Sequence, residues 1–144
     1  TSIFPNLNVA ENVALAAGGT FNGHAKDALA RMGLANHAKN IAGTLAYGHQ
    51  RLLEVAMGLA LQPRLLILDE PTQGLSDAEI AKFIARIAEV SGQTTILLIE
   101  HNMHVVMALA RRITVMERGR ILAEGTPEAI RANPDVQRAY LGGG

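Results

Sequence analysis

The hydrophobic pattern of the chain is dominated by two uninterrupted apolar runs, at residues 65–68 and 96–99. Neither run alternates with polar positions, which is typical of strands buried on both faces in a parallel sheet covered by helices. Between them, apolar residues recur with helical spacing after a capping box formed by Ser76 and Glu79. This strand–helix–strand order predicts parallel neighbours joined by a right-handed crossover, with their carboxyl ends at the same sheet edge.

The chain before the first run is predicted to be helical, with no strand. Alanine-rich and amphipathic stretches predict three helices, the second capped by Asn22, at 9–17, 22–33 and 36–41. A glycine-containing loop at 45–50 then leads into a largely apolar helix from about Gln50 to Leu61, which we expect to be deeply buried.

The chain after the second run is predicted to be mixed. Asn102 can cap a further helix, and the Arg118-Gly119 pair between two short apolar segments predicts a tight hairpin. Thr126 and Asn133 are each followed by proline and then by an acidic residue. These positions predict two short helices at the end of the chain.

The composition limits the classes of protein to consider. With 49% hydrophobic and 18% charged residues in 144, the chain suits one globular domain. Thirteen basic and 13 acidic residues give no basic excess for binding nucleic acid, and the lack of cysteine excludes disulfides and thiolate metal sites. Apolar stretches are too short to span a bilayer, so we expect membrane association only through a partner. The first residue is Thr1, not Met, which is compatible with a piece of a longer chain.

Candidate chemistry lies where the two predicted strands end. Asp69 could hold a divalent ion, Glu70 could orient a water, and His101 could sense a polar group, which together form a hydrolytic set. The alternative is that the acids begin a solvated loop and that the histidine is structural. Gly48, before the Gln50 helix, would also allow an anion to approach backbone N–H groups at a helix start.

Four motifs in a fixed order resemble the second half of an ATP-binding-cassette (ABC) ATPase. LAYGHQ at 45–50 resembles the signature motif, LLILDE at 65–70 the Walker B motif, GLSD at 74–77 the D-loop, and His101 the switch histidine. The resemblance implies an α/β fold, the C-terminal part of a RecA-like P-loop NTPase core with parallel strands plus the ABC helical subdomain. It implies three parts: a helical subdomain at 1–62 that includes the signature loop and helix, the C-terminal half of the nucleotide-binding core at 63–125, and a C-terminal helical tail at 126–144.

The resemblance also implies roles for individual residues. Asp69 would bind Mg²⁺ through water, Glu70 would polarise the attacking water, and His101 would contact the γ-phosphate of ATP. Ser76 and Asp77 would couple the two nucleotide sites of a dimer. The signature residues would close over the nucleotide of the second subunit: Ala46, Tyr47, Gly48, His49 and Gln50.

Two further sequence segments resemble one branch of this family. The commonest signature has serine where this chain has Ala46, yet the LAYG form and the tail GTPEAIRANPDVQRAYLG resemble ATP-binding subunits of branched-chain amino-acid importers. This implies a second ATP-binding subunit and transmembrane permease subunits as partners, with a solute-binding protein engaged indirectly and no nucleic acid. The subunit would lie peripherally at the cytoplasmic face of the cell membrane.

One departure from the family is an absence. The chain has no G-x-x-x-x-G-K-[ST] loop, Q-loop glutamine or adenine-stacking aromatic, all expected upstream of Thr1. We therefore expect ATP hydrolysis only in the full-length protein, and expect the chain alone to self-associate because its apolar sheet lacks the half that normally covers it. Two alternatives remain: a non-transport ABC ATPase and a nucleotide-free half-cassette that only binds a partner.

Overall fold

The computed structural model describes residues 2–141. Thr1 and residues 142–144 of the predicted tail therefore lie outside the described residues. The chain divides into two compact units, Thr1–His101 and Asn102–Gly144. Within residues 2–141, no helix has both the length and the hydrophobicity that a membrane-spanning segment requires.

The first unit begins with three α-helices: α1 (Val9–Ala16), α2 (Gly23–Arg31) and α3 (Tyr47–Leu59). Asn8 and Glu11 cap α1 reciprocally, and the Asn22 side chain accepts a hydrogen bond from the Ala25 N–H at 3.0 Å, as predicted for α2. The helix predicted at 36–41 is instead a single 3₁₀ turn, Ala35–His37. This stretch offers no apolar stripe that could anchor a longer helix.

Helix α3 begins at Tyr47, three residues before the predicted start at Gln50. Most of the segment that resembles the signature motif therefore lies in the first helical turn and not in a loop. Ala46 precedes the helix without a side-chain cap, while the Gly48 N–H donates to the Glu79 carboxylate at 3.1 Å. The glycine suggested a loop, but a distant carboxylate satisfies an N–H group that the local sequence leaves without a partner.

Strands β1 (Leu65–Asp69) and β2 (Thr95–Ile99) pair in parallel, with Leu65 opposite Thr95, which confirms the predicted pairing. Helix α4 (Asp77–Val90) connects them. The predicted capping box of Ser76 and Glu79 at its start is confirmed. The core of this unit is built from side chains that are fully buried: Val9, Val13, Leu29, Met32, Leu34, Leu53, Phe83, Ile87 and Val90.

The prediction that both faces of the strands are buried is wrong for this chain. Successive strand residues point to opposite faces, and only Leu68 of β1 is buried. The other face, here named the open sheet face, carries four large apolar side chains that are 48–57% exposed: Leu65, Ile67, Leu97 and Ile99. An uninterrupted apolar run shows that a strand is hydrophobic on both sides, but burial requires a second layer to pack there.

We expect the 144-residue chain to self-associate through the open sheet face, because contiguous exposed apolar surface promotes association. Replacing Ile67 and Leu97 with threonine keeps strand propensity, removes apolar area, and should shift the chain toward monomer in light scattering coupled to gel filtration. Ile121→Thr is the matched control, since Ile121 is also exposed but lies in the second unit. A monodisperse wild-type monomer would contradict this expectation.

The second unit contains helix α5 (Met103–Leu109), strands β3 (Ile113–Glu117) and β4 (Arg120–Gly125), and helices α6 (Pro127–Ala132) and α7 (Pro134–Val136), followed by a π-helical turn (Gln137–Leu141). The strands form the predicted antiparallel hairpin. Arg118 and Gly119 have φ angles of +50° and +76°, the two left-handed residues of a type I′ turn. The predicted caps Thr126 and Asn133 are confirmed.

Candidate functional site

The carboxyl ends of β1 and β2 bring Glu70 and His101 together. The Glu70 N–H donates to the Ile99 carbonyl at 2.8 Å, which extends the parallel ladder by one residue. Glu70 Oε1 lies 3.4 Å from His101 Nδ1, so the carboxylate and the imidazole meet across the sheet edge. Asp69 is the last residue of β1, and its side chain is exposed to solvent. The edge thus presents two carboxylates and an imidazole to the solvent.

The backbone at Glu70 has an unusual conformation. Its φ angle is +44°, in the left-handed region that non-glycine residues seldom adopt. Such residues are concentrated at functional sites, where the surrounding structure holds them in place. The chain leaves β1 at this residue, and the carboxylate that follows the strand is directed to His101.

A third carboxylate, which the sequence did not single out as a site residue, organises this edge. Glu100 Oε1 accepts hydrogen bonds from the Thr72 N–H at 3.0 Å and from the Thr72 hydroxyl, while Oε2 accepts from the His101 N–H at 3.1 Å. Thr72 is buried. Glu100 therefore fixes the loop after Glu70 relative to the backbone of His101. The signal in the sequence is an acidic residue directly before the candidate histidine.

The donor set at this edge suits a partly hydrated metal ion. Among residues 2–141, no three metal-ligating side chains cluster closely enough to form a protein cage. Mg²⁺ is commonly held by one or two carboxylates, with phosphate oxygens and water completing its coordination. The exposed carboxylate of Asp69 fits that arrangement.

Within the segment that resembles the signature motif, Ala46 and Tyr47 are both exposed. The guanidinium of Arg51 donates to the Tyr47 hydroxyl at 2.6 Å and lies 5.0 Å from the centre of its ring. Tyr47 also packs on Gly74, where a Cβ atom would lie 3.2 Å from the ring. The aromatic side chain therefore contacts the loop that leads to Ser76.

The remaining residues of the signature-like segment lie within the first unit, where Gln50 makes a polar contact. Gly48 is buried. Partial burial lowers the pKa of His49, and the neighbouring His37, whose ring centre is 4.8 Å away, and Lys82 lower it further. Its imidazole is therefore neutral at pH 7. The Gln50 amide donates to the Leu45 carbonyl at 3.0 Å, which directs it toward its own loop.

Ser76 and Asp77 lie at the start of α4, next to the start of α3. The Ser76 N–H and hydroxyl donate to Glu79 Oε2 at 2.9 and 2.8 Å, and Asp77 is the first residue of the helix. These two hydrogen bonds, followed by the bond from Gly48, lower the pKa of the Glu79 carboxyl, which is therefore ionised at neutral pH. One carboxylate thus contacts both the D-loop-like segment and the signature-like segment.

Two family models match the chain. Residues 1–73 match the ABC transporter model, and residues 120–144 match the model of the branched-chain amino acid ATP-binding cassette transporter. The first match covers about half of the chain and includes the candidate signature motif together with Asp69 and Glu70.

Curated relatives carry similar descriptions. The high-affinity branched-chain amino acid transport ATP-binding protein LivG of Escherichia coli (strain K12) is 53% identical over 116 residues, covering 79% of this chain and 46% of the relative. BraF of Pseudomonas aeruginosa, with the same description, is 48% identical over the same shares of the two chains. BraG of that organism is 35% identical, covering 98% of this chain and 63% of the relative. The chain thus spans about half the length of LivG and BraF.

Solved structures share the fold. An ATP-binding cassette of an ABC transporter in its ADP conformation superimposes with a TM-score of 0.81 at 23% identity, covering 96% of this chain and 64% of that chain. The cbiO1 structure from Clostridium perfringens, part of the ABC transporter complex cbiONQ, gives 0.81 at 25% identity, covering 93% and 57%. The predicted α/β class, with parallel strands of a RecA-like core, is confirmed.

Proposed function

The chain belongs to the ABC transporter family, and from this we propose that its full-length form is the ATP-binding subunit of an importer for branched-chain amino acids. The observation that carries the proposal is the match of residues 120–144 to the branched-chain transporter model, because this segment lies outside the nucleotide motifs that all ABC ATPases need. The names of LivG, BraF and BraG support the same branch.

We propose that Glu70 is the general base of ATP hydrolysis. Its carboxylate would accept a proton from the water whose oxygen attacks the γ-phosphorus, while the bond from phosphorus to the bridging oxygen of ADP breaks. His101, 3.4 Å from Glu70, would orient that carboxylate and contact the γ-phosphate. Asp69 would hold Mg²⁺, which when bound offsets the negative charge of the phosphates.

We propose that the signature-like segment acts on the nucleotide of a second subunit. The N–H groups at the start of α3 and the positive end of its dipole suit a phosphate. The 144 residues contain no phosphate-binding loop of the G-x-x-x-x-G-K-[ST] type, so that loop would come from a part of the full-length protein outside this chain. Dimer closure would drive permease subunits, with this subunit peripheral at the cytoplasmic face of the membrane.

Reconstitution tests this function directly. The full-length subunit is combined with its permease subunits in proteoliposomes, and uptake of radiolabelled leucine, isoleucine and valine is measured with the solute-binding protein present. We expect uptake of these three amino acids to require ATP and to be unaffected by an excess of glutamine. ATP hydrolysis without branched-chain uptake would reject the transport assignment, and a protein that binds no ATP would reject the whole proposal.

Glu100→Gln is expected to lower ATP turnover of the full-length protein about tenfold with little change in ATP affinity. The glutamine keeps the size of the side chain, but its amide group cannot accept both the Thr72 and the His101 hydrogen bonds, so the His101 backbone loses a restraint. Steady-state ATPase assays measure the effect, with Glu117→Gln, an exposed position in the second unit, as the control. Equal turnover in Glu100→Gln and wild type would remove the positioning role.

A further inference from the structure

The Glu79 carboxylate lies between the starts of two helices that are far apart in sequence. Oε1 accepts a hydrogen bond from the Gly48 N–H at 3.1 Å, in the first turn of α3. Oε2 accepts from the Ser76 N–H and hydroxyl at 2.9 and 2.8 Å, at the start of α4. One side chain therefore caps both helices, and does so at the two segments that resemble the signature motif and the D-loop.

Helix α3 has a distant cap, because the residue at its own N-cap position has no side-chain hydrogen-bond acceptor. The first N–H groups of a helix lack partners within the helix, and a serine or similar side chain normally accepts from one of them. The cap position here is Ala46, which has no side-chain acceptor. The Glu79 carboxylate accepts from the Gly48 N–H and thereby satisfies one of these groups.

The contact is so close that a side chain at position 48 would displace the Glu79 carboxylate. A Cβ atom on Gly48 would lie 2.7 Å from Glu79 Oε1 and 3.0 Å from Cδ and Cγ, which is too short for ordinary packing. Gly48 thus leaves room for the Glu79 carboxylate of the same chain. Hydrogen bonds to Ser76 and Gly48 also lower the pKa of that carboxyl, so the group facing the N–H is an anion.

We propose that Glu79 is a positioning residue that occupies the Gly48 N–H in the nucleotide-free subunit and gives it up to a γ-phosphate oxygen of ATP when two subunits close. This inference rests on the proposed function, in which the start of α3 meets the nucleotide of the partner subunit. One N–H donates well to a single anion, and two anions at the same donor repel each other. Glu79 would keep its bonds to Ser76, so its displacement carries the arrival of the phosphate to Ser76 and Asp77.

The first test is the ATP dependence of the full-length protein. Glu79→Gln keeps the side-chain shape but removes the charge, so it holds the Gly48 N–H more weakly and no longer repels the phosphate. We expect the KM for ATP to fall about fivefold while kcat changes by less than about twofold. The matched control is Glu89→Gln, which removes the same charge from an exposed position on α4 and should leave KM unchanged.

The second test needs no nucleotide. Hydrogen–deuterium exchange of the peptide containing Gly48 is measured in the nucleotide-free full-length subunit, where Glu79→Gln is expected to exchange several-fold faster than wild type and than Glu89→Gln. Glu79→Asp, which keeps the charge but withdraws it by one methylene, should also exchange faster. Unchanged exchange in both variants would overturn the contact itself.

The two tests separate this inference from the proposed function. Faster exchange with a lower KM supports the displacement. Faster exchange with an unchanged or raised KM overturns it, while wild-type hydrolysis keeps the proposed function intact. A wild-type protein that neither binds nor hydrolyses ATP rejects the proposed function and the inference with it.

Discussion

Replacing Glu70 with glutamine is expected to lower ATP turnover of the full-length protein at least about 100-fold, the effect of removing a general base. Glutamine has nearly the same shape as glutamate, so the contact between residue 70 and His101, whose Nδ1 lies 3.4 Å from Glu70 Oε1, should persist and ATP should still bind. Turnover is measured by phosphate release, and binding by equilibrium titration with labelled ATP. The combination of lost turnover and kept binding is the specific expectation, because a misfolded variant would lose both.

The control for this substitution is Glu89→Gln, which makes the same chemical change on the surface of α4. Turnover in this control should equal that of the wild type. If Glu70→Gln hydrolyses ATP at the wild-type rate, Glu70 is not the base. The close approach of Glu70 to His101 would then be a structural contact at the sheet edge.

The largest effect on stability is expected from Phe83→Ala. Phe83 is 1% exposed and among the largest fully buried side chains of the first unit. Replacing a buried phenylalanine with alanine costs about 3–5 kcal/mol, because transfer energy is lost and a cavity remains. This is a large part of the ~5–15 kcal/mol by which a typical domain is stable. The unfolding free energy of the full-length protein in urea measures it.

Phe4→Ala is the matched control, because the Phe4 side chain is 51% exposed. Its loss should change the unfolding free energy by less than about 1 kcal/mol. If Phe83→Ala lowers the unfolding free energy no more than this control does, Phe83 does not anchor α4 in the core. A change in the urea dependence would instead indicate an altered unfolded or native state.

The sequence by itself determined the features that depend on near neighbours in the chain. Asn22, Ser76 and Thr126 were each identified as a helix cap. Asn22 and Thr126 each accept a hydrogen bond from the backbone N–H three residues later, and Ser76 forms a capping box with Glu79, also three residues later. The Arg118-Gly119 turn is equally local, because two left-handed residues suffice to reverse the chain. The parallel pairing of β1 and β2 also followed, since a strand–helix–strand order favours one arrangement.

Burial was only partly determined by the sequence. The apolar runs identified the strands, but the exposure of Ile67 and Leu97 depends on whether a second layer packs on their face. Asn12 is the opposite case, a polar residue with no exposed surface. Its side chain accepts from the Phe4 N–H at 2.7 Å and donates to the Phe4 carbonyl at 3.0 Å, which binds the first turn to α1.

Only the tertiary structure decided the contacts made by Glu79 and Glu100. Glu79 meets Gly48 across 31 positions, and Glu100 meets Thr72 across 28. Each carboxylate can accept hydrogen bonds from several donors. The local sequence does not show which donors the packing of helices and strands brings within about 3 Å. Caps and turns depend on residues that are close in sequence, whereas these contacts depend on how helices and strands pack. For this reason α3 begins at Tyr47 and not at the predicted Gln50.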